Sequence, residues 1–284
     1  MTGKQDDTDP SSSLDDPRIL KHVFYPRRVE RQPIETAEVG KNNFRRITIS
    51  FQVDENVRIE GLGYLAGSSA PNLLFFHGNG ETAYDYEDIG PLFAHIGINF
   101  FVTDYRGYGT SGGSPTFSGM MRDAEKIFKK LIDLLNERGL TGYIFVMGRS
   151  LGSAPALELC RKFPDRIRGL IIESGFAHTH KLLIALGVDS RLLRPEEEAY
   201  VSNLEKMKKV SLPVLVIHGE EDEVIPLSDG LDLYSVAATE DKELLLVPNA
   251  GHNTLLFYGL KEYLKAINNF IHRLSSPFPS SPSP

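Results

Sequence analysis

A mostly parallel β-sheet covered by helices on both faces is the architecture this sequence predicts. Three observations predict it. Short apolar runs alternate with longer helix-like stretches through the middle of the chain. Several runs, such as Leu73-Leu74-Phe75-Phe76 and Val214-Leu215-Val216-Ile217, are apolar without alternation, as in strands buried on both faces. A third run, residues 143–147, leads into Gly148-Arg149-Ser150-Leu151-Gly152 and then a helix-like segment. That is a strand, a sharp turn and a helix in immediate succession.

Taken in order, residues 44–53 and 57–65 read as an antiparallel pair around the polar turn Asp54-Glu55-Asn56. Residues 72–76, 98–103, 143–147, 170–172, 214–217 and 244–247 complete a sheet of eight strands. The clearest helix spans residues 119–138. Met121, Ala124, Ile127, Phe128, Leu131, Leu134 and Leu135 recur there at helical spacing, and Gly139 is a stop signal.

Composition bounds the rest. The chain of 284 residues accommodates one large α/β domain, expected over residues 17–274. Residues 1–16 are polar and expected to be disordered, as is the Ser- and Pro-rich tail 275–284. The segment 17–32 carries Ile19, Leu20, Val23, Phe24 and Tyr25 and is expected to dock on the domain. A net charge of −7 with only short basic pairs argues against a nucleic-acid partner. Cys160 has no partner for a disulfide and is expected to be a buried apolar residue. No apolar run approaches the ~18 residues of a membrane span. The N-terminus lacks a signal peptide's basic start and apolar core, so a cytoplasmic location is expected.

Ligands on open parallel sheets bind at the carboxyl ends of the strands, and Ser150 lies at such an end. In G-x-S-x-G the serine occupies a strained turn, and glycines flank it because side chains there would collide with the neighbouring strand or helix. A serine hydroxyl needs a base within hydrogen-bond reach and a group that orients the base. Of eight histidines, His252 is the best candidate, because it follows the last strand and precedes the last helix. The orienting acid should also follow a strand. Glu220, Glu221, Asp222 and Glu223 crowd the loop after residues 214–219, and Glu173 ends the 170–172 strand. Donors for a developing oxyanion are expected from the backbone N–H of Leu151 and, in His77-Gly78-Asn79-Gly80, from that of Asn79. His77 and His218 read as structural braces, and Arg106 as a loop brace paired with a nearby acid.

Read together, the segments HGNG from His77, DYRGYGTS from Asp104, GRSLG from Gly148, LPVLVIHGEEDEVIP from Leu212 and AGHN from Ala250 resemble the α/β-hydrolase fold family over residues 44–274. The resemblance selects Asp222 as the acid, since it occupies the aspartate of H-G-x-x-D-x-x-V-P with Ile225 in the valine position. The order Ser150, Asp222, His252 fits it as well. The HGNG and DYRGYG combination is similar to a small-lid branch containing bacterial hydrolases and protein acyl-thioesterases. The resemblance implies a serine hydrolase acting on an ester or thioester without metal or organic cofactor. It also implies a small lid over residues 174–210, with Phe176 and Ile225 as candidate substrate contacts. The expected partner is a small-molecule or acylated substrate, and the expected state a monomer or weak homo-oligomer. Peptidase or amidase chemistry on the same residues, and ligand binding without catalysis, are the alternatives.

Overall fold

The computed structural model describes residues 10–30 and 44–275. Eight strands, β1 (Arg45–Asp54), β2 (Val57–Leu65), β3 (Asn72–Phe76), β4 (Asn99–Thr103), β5 (Ile144–Arg149), β6 (Leu170–Glu173), β7 (Val214–Gly219) and β8 (Lys242–Val247), form one sheet in the order β1-β2-β4-β3-β5-β6-β7-β8. β2 runs antiparallel to both its neighbours, and every other pairing is parallel. The eight-stranded, mostly parallel sheet expected from the sequence is therefore the one observed.

Nine α-helices are found among the described residues: α1 (Pro17–Val23), α2 (Gly90–His95), α3 (Phe117–Glu137), α4 (Ser153–Lys162), α5 (Thr179–Ala185), α6 (Glu198–Val201), α7 (Asn203–Met207), α8 (Leu227–Val236) and α9 (Leu255–Ser275). Strand side chains alternate between two cores. Leu74, Phe76 and Val146 pack with α3, α4 and α8 on one face. Leu73, Phe75, Phe145 and Met147 pack with α2 and α9 on the other. Burial on both faces is what lets these strands be apolar at every position. Cys160 lies in the first core, where burial pushes its thiol up and leaves it an inert apolar residue. No helix among the described residues is long and apolar enough to cross a membrane.

The expected disorder of residues 1–16 needs correction where the chain is described. Pro10–Asp15 forms a 3-10 turn and Leu14 is fully buried. Asp15 Oδ1 accepts from Ser118 N at 3.0 Å, and Ser13 pairs with Glu197. A lone leucine among serines and aspartates reads as a polar tail, yet it fills a gap in the first core. The same segment continues through α1, with Ile19, Val23 and Phe24 buried, and docks as expected. Beyond α1, Gly109 N donates to Arg27 O at 2.8 Å and Val29 N to Gly109 O at 3.1 Å. Residues 13–29 thus form a strap across the carboxyl edge. Ser275, expected in the tail 275–284, instead closes α9, and the remainder of the expected tails, residues 1–9 and 276–284, lies outside the described residues.

The expected lid, residues 174–210, forms α5, α6, α7 and two 3-10 turns between β6 and β7. It is fastened to the sheet layer. Asn203 Nδ2 donates to Ser153 Oγ and to Phe176 O, both at 3.0 Å. Buried Lys206 reaches Glu158 on α4 at 3.3 Å. Lys206, with Arg161 and Lys162, outweighs the burial of Glu158 and holds its carboxyl down at about 2.

Candidate active site

The turn after β5 is built by glycine. A Cβ at Gly148 would collide with the carbonyl of Gly152, and one at Gly152 with the carbonyl of Phe76. The first contact forces the turn to be tight, and the second lets α4 sit against the end of β3. Ser150 takes φ 50°, in the left-handed region that side chains disfavour. The surrounding packing holds that strain: Ser153 Oγ donates to Ser150 O at 2.6 Å, and Asn203 donates to Ser153 in turn.

Two further loops bring their groups to Ser150. After β8, Asn249 adopts φ 60° and turns the chain so that His252 enters the site. His252 N donates to Glu223 Oε2 at 3.1 Å, and a Cβ at Gly251 would strike that same carboxylate. After β7, Glu220 N and Glu221 N donate to Val247 O and Ala250 O, knitting the two loops together. Glu223, although exposed like Glu220 and Glu221, is therefore part of this seam through its carboxylate.

The result is a continuous chain. His252 Nδ1 lies 2.8 Å from Asp222 Oδ2 and 3.1 Å from Oδ1, and His252 Nε2 lies 3.0 Å from Ser150 Oγ. A carboxylate only accepts, so Nδ1 carries the proton and Nε2 is the acceptor facing the hydroxyl. Asp222 Oδ1 also accepts from Val224 N (3.0 Å) and Ile225 N (2.8 Å). Burial alone would raise the Asp222 carboxyl. The hydrogen bond and charge of His252 and the two amides outweigh burial and hold it below its ordinary value. An anion fixed in this way orients the imidazole ring.

The turn at Gly78 abuts this chain through Gly152, whose Cβ position faces His77 O as well as Phe76 O. Gly78 N is committed to Glu81 Oε2 at 2.7 Å. The Asn79 side chain points away from Ser150, toward the strap. Its Nδ2 donates to Val23 O (2.6 Å), and its Oδ1 accepts from Tyr25 N (3.0 Å) and the Tyr108 hydroxyl (2.7 Å). The strap therefore fixes this turn.

The residues read as braces are braces. His77 is fully buried, with Nδ1 2.8 Å from Gly78 O, Nε2 3.3 Å from Asp104 Oδ1 and its ring edge-on to Tyr105. His218 donates from Nε2 to Ile225 O at 2.9 Å, with Gly230 packed on its ring. Burial lowers its pKa and keeps it neutral. Arg106 spans Asp123 (2.6 and 2.8 Å) and Asp54 (3.1 Å). The two expected substrate contacts need correction. Phe176 and Ile225 are 1 % and 2 % exposed and pack within the first core.

Sequence reasoning missed Arg149. Its Nε donates to Glu173 Oε1 at 3.0 Å and its Nη2 to His252 O (2.8 Å) and Asn253 Oδ1 (3.0 Å), while Nη1 pairs with Glu81. Burial works against the Arg149 charge, but Glu81 and Glu173 hold the guanidinium protonated above its ordinary value. Glu173, the rival candidate for the orienting acid, is thereby engaged by Arg149 and by the Tyr263 hydroxyl at 2.8 Å. The signal in the sequence was a lone basic residue at the end of an otherwise apolar strand.

Known proteins share this arrangement of chain. The family model described as Serine aminopeptidase, S33 matches residues 67–195 and 198–256. The human alpha/beta hydrolase domain-containing protein 17B is 32% identical over 208 residues, 70% of this chain and 65% of that protein. The lysophosphatidylserine lipase ABHD12 of Gallus gallus is 30% identical over 229 residues, covering 72% of this chain and 59% of the lipase. The chain thus spans slightly less than two thirds of the length of these two relatives. Among solved structures, the Pyrococcus furiosus esterase Pf2001 superposes with a TM-score of 0.72 at 19% identity, over 89% of this chain and all of that one, a likeness of fold. With the sheet order, the turn at Ser150 and these matches in agreement, the chain belongs to the serine aminopeptidase S33 family of α/β hydrolases.

Proposed function

We propose that this hydrolase cleaves a carboxylic ester or thioester through an acyl-enzyme on Ser150. The observation that carries the reading is the unbroken chain Asp222–His252–Ser150, at 2.8 and 3.0 Å, ending on a serine held at φ 50°. His252 Nε2 takes the hydroxyl proton as Ser150 Oγ attacks the substrate carbonyl. The backbone N–H groups of Leu151 and Asn79 receive the oxyanion. The close approach of Gly152 to the β3 end supports this pairing, because it sets the two backbones side by side. His252 then protonates the leaving alcohol or thiol, and water attacks the acyl-enzyme by the reverse sequence of proton transfers. Asp222 stabilises the transient imidazolium. The names of similar proteins, a lysophosphatidylserine lipase and an esterase, favour acyl-ester chemistry. The family description names an aminopeptidase, so amide cleavage is the competing reading.

The test is labelling with a fluorophosphonate, read by intact mass, beside a panel of acyl nitrophenyl esters, acyl thioesters and aminoacyl nitroanilides. One adduct, absent in Ser150→Ala, with turnover of esters or thioesters is the expected result. Turnover of nitroanilides alone would establish the amide reading. Folded wild-type protein that neither labels nor turns over any of the panel would leave ligand binding as the function.

A further inference from the structure

Resting on that reading, we infer that Arg149 is a positioning residue for the reaction: one guanidinium holds the oxyanion turn, the nucleophile turn and the base loop in register. Strand alternation sends its side chain to the same face as Phe145 and Met147, the face covered by α2 and α9. It therefore reaches the His252 loop from behind and leaves the front of Ser150 clear for substrate.

Four contacts make the clamp. Nη2 holds the carbonyl of His252 itself and the side chain of the next residue, Asn253. Nη1 holds Glu81, whose other oxygen accepts Gly78 N at 2.7 Å and the Tyr86 hydroxyl at 2.7 Å. Nε holds Glu173, whose other oxygen accepts the Tyr263 hydroxyl from α9. Gly78 is built around the clamp, since a Cβ there would lie 2.6 Å from Arg149 Nη1. Three segments separated by roughly seventy and a hundred residues thus meet on the side chain next to the nucleophile. A shift of His252 moves Nε2 relative to Ser150 Oγ, and errors near 1 Å in such a geometry cost about a hundredfold in rate.

The planar fork is what the site requires. A guanidinium presents five N–H groups in fixed directions, whereas an ammonium is a point charge on a flexible stem. Lysine at 149 cannot serve Glu173, Glu81 and the His252 carbonyl together. A cavity of about 230 Å³ lined by Glu81, Arg149, Glu173, His252, Asn253 and Tyr263 adjoins the clamp and leaves room for a small cation to enter.

Steady-state kinetics on an ester turned over by wild type, with thermal unfolding of each variant, tests this. Arg149→Ala should lose about 10- to 100-fold in kcat, with KM nearly unchanged because no substrate contact is removed. Arg149→Lys should recover little of the loss. Millimolar guanidinium chloride should restore part of kcat to Arg149→Ala and none to Ser150→Ala. Glu81→Gln, which weakens one arm while preserving shape, should show a smaller kcat loss in the same direction and serves if Arg149→Ala fails to fold. Wild-type kcat in folded Arg149→Ala, full recovery by lysine, or unchanged kcat in both Arg149→Lys and Glu81→Gln would overturn the inference. Wild-type turnover in those assays separates this failure from failure of the esterase reading, which would show as an inert wild type.

Discussion

Two histidine–aspartate pairs lie at the carboxyl edge of the same sheet. His252 and Asp222 follow β8 and β7; His77 and Asp104 follow β3 and β4. Both pairs are buried, and both join neighbouring strands of the sheet. In the first, the ring nitrogen opposite the carboxylate faces Ser150 Oγ at 3.0 Å. In the second, the opposite nitrogen is 2.8 Å from the adjacent backbone carbonyl of Gly78, and Tyr105 and Tyr108 pack around the ring. Under the proposed mechanism, the same two residue types make a base where the second nitrogen is free to meet a hydroxyl, and they make a loop brace where backbone and aromatic rings occupy it. His218 is a third outcome, a neutral ring whose one donor is spent on Ile225 O.

The contrast breaks most sharply at the carboxylates. Asp222→Asn should lower kcat by about ten-thousand-fold, because an amide no longer fixes the Nδ1–H tautomer; nitrophenyl-ester turnover with an unchanged unfolding temperature checks it. An intermediate effect is expected where the strap touches the site. Asn79→Ala removes the side chain that ties the Gly78 turn to Val23 and Tyr25 while keeping the backbone N–H. Fluorophosphonate labelling should slow by about tenfold as that turn loosens, and deletion of residues 1–29 should reproduce it. Asp104→Ala belongs to the brace and should act on stability. Urea unfolding should show a loss of about 1–3 kcal/mol for the unpaired Ala83 N–H, with labelling of the folded protein retained.

The smallest effect concerns pH. His218 has its pKa lowered by burial, so the native state resists a proton that the unfolded chain accepts. Its contribution to stability is complete above the unfolded histidine value and is lost as pH falls toward the lower folded value. His218→Asn should therefore flatten the decline in unfolding temperature between about pH 7 and 5. Asp222, also held low, contributes above the unfolded carboxylate range and loses its contribution only in stronger acid, as pH falls through its folded value. The two variants thus separate along the pH axis.

The strands were legible because sheet burial leaves an unbroken apolar record. β2 and β3 have the boundaries read from sequence, and β5 through β8 run on by one or two residues at an end. Ser150, Gly148 and Gly152 were legible because steric demand at a sharp turn permits few alternatives. Arg149 was not, since a buried charge is explained by partners 24, 68 and 103 residues away. Leu14 was hidden for a related reason: its burial depends on α3 and the segment between β6 and β7, and its neighbours are polar. Phe176 and Ile225 show the converse, apolar residues beside the site whose local pattern does not tell a cleft wall from the packing beneath it.

The strap has a consequence for the order in which the molecule becomes active. Its anchor residues precede their partners in the chain, so Asp15 must wait for Ser118 and Ser13 for Glu197. These closures span 103 and 184 residues, and contacts so distant along the chain form late because the entropy of closing long loops precedes any reward. Asn79 therefore receives a fully anchored latch only after the segments that carry Ser118 and Glu197 are available. Under the proposed mechanism, a chain that contains Ser150 but not yet Glu197 carries an Asn79 turn whose strap is not fully anchored.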